Sequence, residues 1–526
     1  MNKVHILDCT LRDGGYCNEW CFGFDNAKKI IDGLVEANID VIECGFLTNK
    51  TQYKPGVTKF TSIDQIASYI PKDREGKKFV VMINYGEYDI DDLPMYDGSS
   101  VDGIRVAFHK RDRHEAINIC KRIKAKGYLV FIQAMVSLAY SDDEFLDTIQ
   151  MVNEFKPYAF YIVDSFGMMK GKDLTRLFYM VEHNLDEKVW IGFHSHNNMQ
   201  LAYSNAQSLT MVQTNRNLII DSSVYGMGRG AGNLNTELFV EFLNENAGKE
   251  YKLKPLLVLI DQILDEFHCR NYWGYSLPNY ISAAHNAHPN YAGYLDDKKT
   301  LTIEDMNEIF EMLDEEKKIA FDKNYIENLY LKYMATGKVN EDHKAELIEK
   351  LDGKQVLIIG PGKSCLEEKD KIIKFGKRND VIVFSVNFSY DYFDSDFIFV
   401  SNVRRFRELD GKNLSRCIVT SNISVKESVY YQTKYRDLLN SEEAVRDNAA
   451  LMMIKFLIGF GVKDIFLAGI DGYSHDLRDN YGKDEMAFFT RNAVLDAINN
   501  GMCKVLKDYS DQINIKFLTV PRFVSI

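Results

Sequence analysis

Residues 25–44, DNAKKIIDGLVEANIDVIEC, join one helix to one buried strand. Ala27, Ile30, Ile31, Leu34 and Val35 follow the helical i, i+3, i+4, i+7, i+8 spacing. Asp25 stands where an N-cap is expected, and Asn38 where the helix should end. IDVIEC then reads as a strand buried on both faces, as strands of parallel sheets are. Upstream, KVHIL (3–7) reads as a strand too, so the chain opens strand, helix, strand. The rhythm recurs in KFVVMIN (78–84), GIRVAF (103–108), YLVFIQAM (128–135), AFYIVD (159–164), VWIGFH (189–194) and NLIIDSS (217–223). Amphipathic stretches such as RHEAINICKRIKAKG (113–127) lie between them. Eight strands with helical connections within residues 1–245 predict a (β/α)8 TIM barrel, with a doubly wound open sheet as the alternative.

Beyond the barrel, residues 246–352 read as a helical extension, carried by PLLVLIDQILDEF (255–267), IEDMNEIFEML (303–313) and YIENLYLKYM (325–334). His285, His288 and Tyr291 interrupt it, as part of a packed appendage or of a lid over the barrel, and no chemistry is assigned to them. At residue 353 the alternation restarts with KQVLIIGPGKS, DVIVFSVNF and VKDIFLAGIDGYSHD, so 353–526 is expected to be a second, Rossmann-like α/β domain. The formal net charge of -12 argues against a nucleic-acid partner, whose phosphates require cationic neutralisation. The apolar runs are too short to span a bilayer. Nine scattered cysteines form no disulfide framework, and Cys9, Cys17, Cys21 and Cys44 contain no CxxC pair that would suggest structural zinc. A cytoplasmic protein that associates as a homo-oligomer is the expectation.

In a parallel barrel the C-terminal strand ends share one mouth, where active sites form. That places Arg12, Asp13, Glu43, Arg105, His109, Gln133, Asp164, Ser165, His194, His196 and Asn233 together. In GFHSHNN (192–198), His194 and His196 are two apart and project to one side of an extended chain. With Asp13 they make a two-histidine, one-carboxylate set that holds a divalent cation and leaves positions open for substrate. The glycines of GMGRGAGN (226–233) would let backbone approach a ligand or metal closely, with Asn233 supplying a further oxygen.

LRDG (11–14), IECGF (42–46), GFHSHNN and GRGAGN (228–233), in this order, resemble the metal-dependent lyase and aldolase superfamily that includes HMG-CoA lyase, isopropylmalate synthase and 4-hydroxy-2-oxovalerate aldolase. The resemblance implies Asp13, His194 and His196 as ligands of a divalent metal ion, Mn or Mg first and Zn or Co as alternatives, with Asn233 as a further ligand. It implies Arg12 facing the substrate's enolate oxygen and Glu43 orienting Arg12 and the metal's waters. Arg105, Gln133, Asp164 and Ser165 are the expected substrate-binding residues. RVAFH (105–109) resembles the aldolases' strand end, which supports His109 as a catalytic group. Those aldolases have a histidine as general base where this chain has Tyr16, which leaves the base open between Tyr16, His109 and a bound hydroxide. The implied activity is a class II aldolase joining or splitting pyruvate, or another 2-oxo acid, and an aldehyde. An acyl-CoA-dependent Claisen synthase or lyase, and a non-catalytic barrel serving the second domain, are the alternatives.

The turn Gly360-Pro361-Gly362-Lys363-Ser364 follows a strand and could present N–H groups to a phosphate, although it is neither a Walker A loop nor GxGxxG. With FSVNF (384–388) and FLAGIDGYSHD (466–476) it resembles sialyltransferase-like polysaccharide-biosynthesis proteins. That resemblance implies a nucleotide or nucleotide-sugar site at Gly360, Gly362, Ser364, Asn387 and Asp471, and a sugar-derived aldehyde in surface-glycan biosynthesis.

Overall fold

The computed structural model describes residues 3–337, 339–409, 411–425, 429–483, 490 and 492–523. They fall into two units, Met1–Gly293 with Asp314–Phe321, and Tyr294–Leu313 with Asp322–Ile526. The helical stretch 246–352 is therefore divided between the units.

The first unit contains the strands β1 (Lys3–Asp8), β2 (Val41–Leu47), β3 (Lys78–Asn84), β4 (Gly103–Phe108), β5 (Leu129–Ala134), β6 (Ala159–Asp164), β7 (Trp190–Ser195) and β8 (Asn217–Ser222). Each pairs in parallel with the next, and β1 closes the ring by pairing with both β2 and β8. This is the eight-stranded barrel that the apolar runs predict. A two-residue strand, Lys59–Phe60, adds to β2 outside the ring. The first helix runs Phe24–Glu36 and buries Ala27, Ile30, Ile31, Leu34 and Val35. Its N-cap lies two residues before Asp25. Gly23, at φ 83, is the N-cap, and Asp25 lies in the first turn, where its charge favours the positive helix end. Asn38, at φ 69, ends the helix in the left-handed conformation that asparagine tolerates.

Period-two alternation sorts each strand's side chains between two cores. Leu218 and Ile220 pack outward with the helices, whereas Ile219 faces the interior with Leu7, Val41, Val80, Phe131, Ala159, Tyr161 and Val163. That interior is filled by side chains, as barrels of this size require. The Tyr161 ring takes its place only because β7 offers Gly192 opposite it. A Cβ on Gly192 would lie 2.3 Å from that ring.

The second unit has β9 (Gln355–Ile359), β10 (Val381–Val386), β11 (Phe397–Val400), β12 (Cys417–Thr420), β13 (Tyr431–Thr433), β14 (Asp464–Ala468) and β15 (Asn514–Phe517). Their order is β13-β12-β11-β10-β9-β14-β15, all parallel. The chain builds outward from β9 to β13, then returns to the other side of β9 to add β14 and β15. The C-terminal ends of β9 and β14 therefore flank a topological switch point, where open parallel sheets form their crevices.

The tight fit at Gly192 makes a direct prediction. Gly192→Ala should lower unfolding free energy by about 1–3 kcal/mol through overpacking. Urea denaturation measures it, and an unchanged midpoint would contradict the packing described.

Candidate active site

Asp13 is delivered by a tight turn after β1, in which the N–H groups of Arg12 and Asp13 both donate to the Cys9 carbonyl, at 3.1 and 2.8 Å. His194 ends β7 and His196 follows it, their rings edge-on at 5.2 Å. One ligand atom from each of Asp13, His194 and His196 lies within 4.8 Å of the others, and all three residues are buried. The His194 Nδ1 is 2.9 Å from an Asp221 carboxylate oxygen, so Asp221 accepts its proton and leaves Nε2 as a lone-pair donor. Burial lowers the His196 pKa to about 3 against the opposing pull of Asp13, so this imidazole is neutral. Its Nδ1 is buried without a hydrogen-bond partner and lies 3.7 Å from Asp13 Oδ2. Asn233 donates its amide N–H to Asp13 Oδ2 at 2.8 Å, which leaves its own Oδ1 buried and unpartnered. Burial pushes the Asp13 pKa up, but the Arg12 guanidinium beside it outweighs that and holds the carboxyl well below its usual range. One carboxylate, two imidazoles and an orphaned amide oxygen are a donor set that fits a divalent cation. Gly228 makes room for it, since a Cβ there would lie 2.8 Å from Asp13 Oδ2 and 2.4 Å from the Asn233 amide nitrogen.

Behind these residues runs a chain of buried charges. Arg12 donates from Nε to Glu43 Oε2 at 2.8 Å and from an Nη to Asp13. Arg105 donates to the same Glu43 oxygen at 2.7 Å and to Asp221. Phe46 flanks the Arg12 guanidinium at 5.9 Å, and the Trp20 indole N–H holds the Arg12 carbonyl at 2.7 Å. Arg12 is thereby fixed beside the Asp–His–His cluster, and Glu43 orients it.

The other expected substrate residues divide differently. Arg105 is fully buried inside the barrel over the Tyr161 ring, with its charge taken by Glu43 and Asp221, so it braces the site from below and does not line it. Asp164 accepts the N–H groups of Met168 and Met169, both at 3.0 Å, and so caps its own loop. Burial raises its pKa to about 7 against those N–H bonds. The Ser165 hydroxyl accepts the Val136 N–H at 2.9 Å and ties two loops together. For Asp164 and Ser165 the strand end was read correctly, but the side chains turn to backbone. Gln133 is buried with an unpartnered Nε2. Tyr16 is 42% exposed at the rim, with its ring on Trp20 at 4.7 Å. Its crowded surroundings raise the phenol pKa against the pull of Arg229, so the Tyr16 hydroxyl is protonated at neutral pH. His109 is half-buried at the end of β4, and burial followed by Arg111 lowers its pKa.

Two mouth residues had no clear signal in the sequence. Asp221 lies inside NLIIDSS, where only its inward register marks it. Arg229 sits in a loop whose glycines drew the attention. Arg229 donates to the Ser165 carbonyl at 2.9 Å and stacks its guanidinium 5.5 Å from the Tyr16 ring.

In the second unit, Gly360, Gly362, Asn387 and Asp471 line a cleft of about 250 Å³ at the switch point, with Lys299 and Arg405 also on its wall. The glycine turn does not form the expected N–H cradle. The Gly360 N–H donates to the Ala468 carbonyl at 2.7 Å, that of Gly362 to Gly469 at 2.8 Å and that of Ser364 to Asp471 at 2.8 Å. The Asp471 carboxylate already takes the place an anion would fill. Asn387, in the left-handed conformation, accepts the Ser401 N–H at 3.1 Å.

Residues 3–263 match the family model described as HMGL-like. The 4-hydroxy-2-oxovalerate aldolase of Pseudoalteromonas translucida is 27% identical over 247 residues, 47% of this chain and 71% of that protein. The enzyme of the same name from Geobacillus thermodenitrificans is 25% identical over 245 residues, 46% of this chain and 69% of its own. The crystal structure of the N-terminal domain of a Bacteroides vulgatus protein named as an aldolase is 28% identical, with a TM-score of 0.50 over 59% of this chain and all of that one.

Asp221 fixes the His194 tautomer from behind, and its loss can be read as metal affinity. Asp221→Asn should weaken binding of a divalent cation about 10- to 100-fold, measured by calorimetric titration. Unchanged affinity would remove Asp221 from the site.

Proposed function

Because residues 3–263 of this chain form an HMGL-like domain, we propose that it is a divalent-metal-dependent aldolase acting on pyruvate, or a similar 2-oxo acid, and an aldehyde. The observation that carries this reading is the buried Asp13–His194–His196 cluster with Arg12 fixed beside it. When bound there, a divalent ion, Mn or Mg by the oxygen-and-imidazole donor set, polarises the 2-oxo group as a Lewis acid. Arg12 contributes an untitratable, directed positive charge where negative charge develops on the enolate oxygen. Glu43 and Asp13 prevent that guanidinium from swinging away. His109 is neutral at pH 7 and is the group we assign to accept the methyl proton. Tyr16, protonated at the rim, donates to the alkoxide of the aldehyde carbon as the bond forms.

We read the second unit as a module for a nucleotide or nucleotide-sugar, which would make the aldehyde sugar-derived and the setting surface-glycan biosynthesis. Support comes from a cleft of about 250 Å³ at the switch point of a parallel sheet, with lysine and arginine on its wall.

The first half of this proposal is tested by exchange of pyruvate methyl protons into deuterated water, followed by NMR. Exchange should require Mn or Mg, stop with a chelator and resume on adding metal. Asp13→Ala should reduce it at least about 100-fold, the scale of losing an electrostatic contributor. Turnover of acetyl-CoA without pyruvate exchange would instead support a Claisen enzyme. The second half is tested by calorimetry of the full chain with UDP, CDP and GDP. No heat of binding at millimolar nucleotide would sink it.

A further inference from the structure

Three arginines stand at the barrel, and one differs from the others. Arg12 is neutralised by Asp13 and Glu43, and Arg105 by Glu43 and Asp221. Arg229, from the loop after β8, forms no ion pair among the described residues. It makes one hydrogen bond to a carbonyl and one aromatic contact, while its Nε is buried without any partner. A buried donor on a charged group is costly to leave unsatisfied. Asp13, whose carboxyl it helps to lower, is already ion-paired with Arg12, and the imidazoles near it are neutral. Burial, then Arg111 and Arg229, lower the pKa of His109 against the pull of Asp112. Burial, then Arg229, lowers that of His288 to about 3, so both rings are neutral.

His288 reaches this place from beyond the barrel strands, with its ring on Phe166 at 5.4 Å. Its Nδ1 accepts the Asn290 N–H at 3.2 Å, so its proton sits on Nε2, where it can donate. The histidine that sequence reading left without a role is therefore within electrostatic reach of the mouth's unpaired guanidinium.

The buried network holds two guanidinium and three carboxylate charges. A dication and the single negative charge of a 2-oxo acid bring it to neutrality. The 2-oxo acid's carboxylate would then already be matched, and the charge of Arg229 would not.

We propose that Arg229, with His288 nearby as a neutral donor, selects the aldehyde, and that the aldehyde carries an anionic group, a carboxylate or a phosphate. The inference rests on the aldolase reading and adds the class of its second substrate. A guanidinium suits both anions because its planar fork can donate two parallel hydrogen bonds to either.

The test compares aldehydes matched in carbon number, with pyruvate as partner. Succinic semialdehyde against butanal tests a carboxylate, and glyceraldehyde 3-phosphate against glyceraldehyde tests a phosphate. The anionic member of at least one pair should have kcat/KM about 10- to 100-fold higher, mostly through KM, as expected for a charge-assisted pair. Arg229→Gln should bring that ratio close to one and Arg229→Lys should retain part of it. The ratio within each variant corrects for any general loss of activity. Equal use of charged and neutral aldehydes by the unaltered protein, or a ratio that survives Arg229→Gln, overturns the inference. If the unaltered protein exchanges pyruvate protons but shows no preference, the aldolase reading stands and this inference falls. Without exchange the aldolase reading falls, and this inference with it.

Discussion

One oxygen of Glu43 holds two arginines, Arg12 at 2.8 Å and Arg105 at 2.7 Å. Through Arg105 it reaches Asp221 and from there His194; through Arg12 it reaches Asp13. Residues from β2, β4, β7, β8 and the loop after β1 are thus joined in one buried network. Isolated charges in such an interior would be strongly disfavoured, and removing one partner of a buried pair costs about 3–5 kcal/mol. Each member is therefore required by its neighbours. A replacement of the whole set by apolar side chains could fill the same space, so the network is better explained by function than by stability.

The network separates roles that composition alone would merge. Arg105 and Arg12 are both barrel arginines bonded to Glu43, yet Arg105 lies under the site and Arg12 at its edge. Asp221 and Asp164 are both strand-end aspartates, yet one supports an imidazole of the candidate metal cluster and the other closes a loop. The distinction follows from register and from where the following loop's N–H groups lie. It decides which carboxylates stay ionised. Arg105 and His194 hold Asp221 low against its burial, whereas the N–H bonds of Asp164 do not overcome the cost of burying its charge.

Much of the barrel was legible because parallel strands buried on both faces are written as unbroken apolar runs of five to eight residues. The Asp13–His194–His196 set was legible because a barrel brings all C-terminal strand ends to one mouth, whatever their separation in sequence. Assignments failed where a side chain had a closer backbone partner. Asp164 and Ser165 bond to loop N–H groups, and the amides of Gly360, Gly362 and Ser364 bond to the end of β14 and the loop after it. Arg229 was overlooked for the opposite reason, that an arginine in a glycine loop usually points into solvent.

The sequence by itself determined the order of strands and helices, the barrel and its mouth, and the residue types able to bind a divalent ion. These depend on periodicity and on strand-end position, which are local properties of the chain. Only the tertiary structure decided which charges cancel. That Glu43 serves two arginines, that Asp221 stands behind His194, and that Arg229 forms no ion pair among the described residues depend on distances between residues far apart in the chain. Electrostatics inside a protein is set by those distances and by burial, and neither is encoded in local spacing.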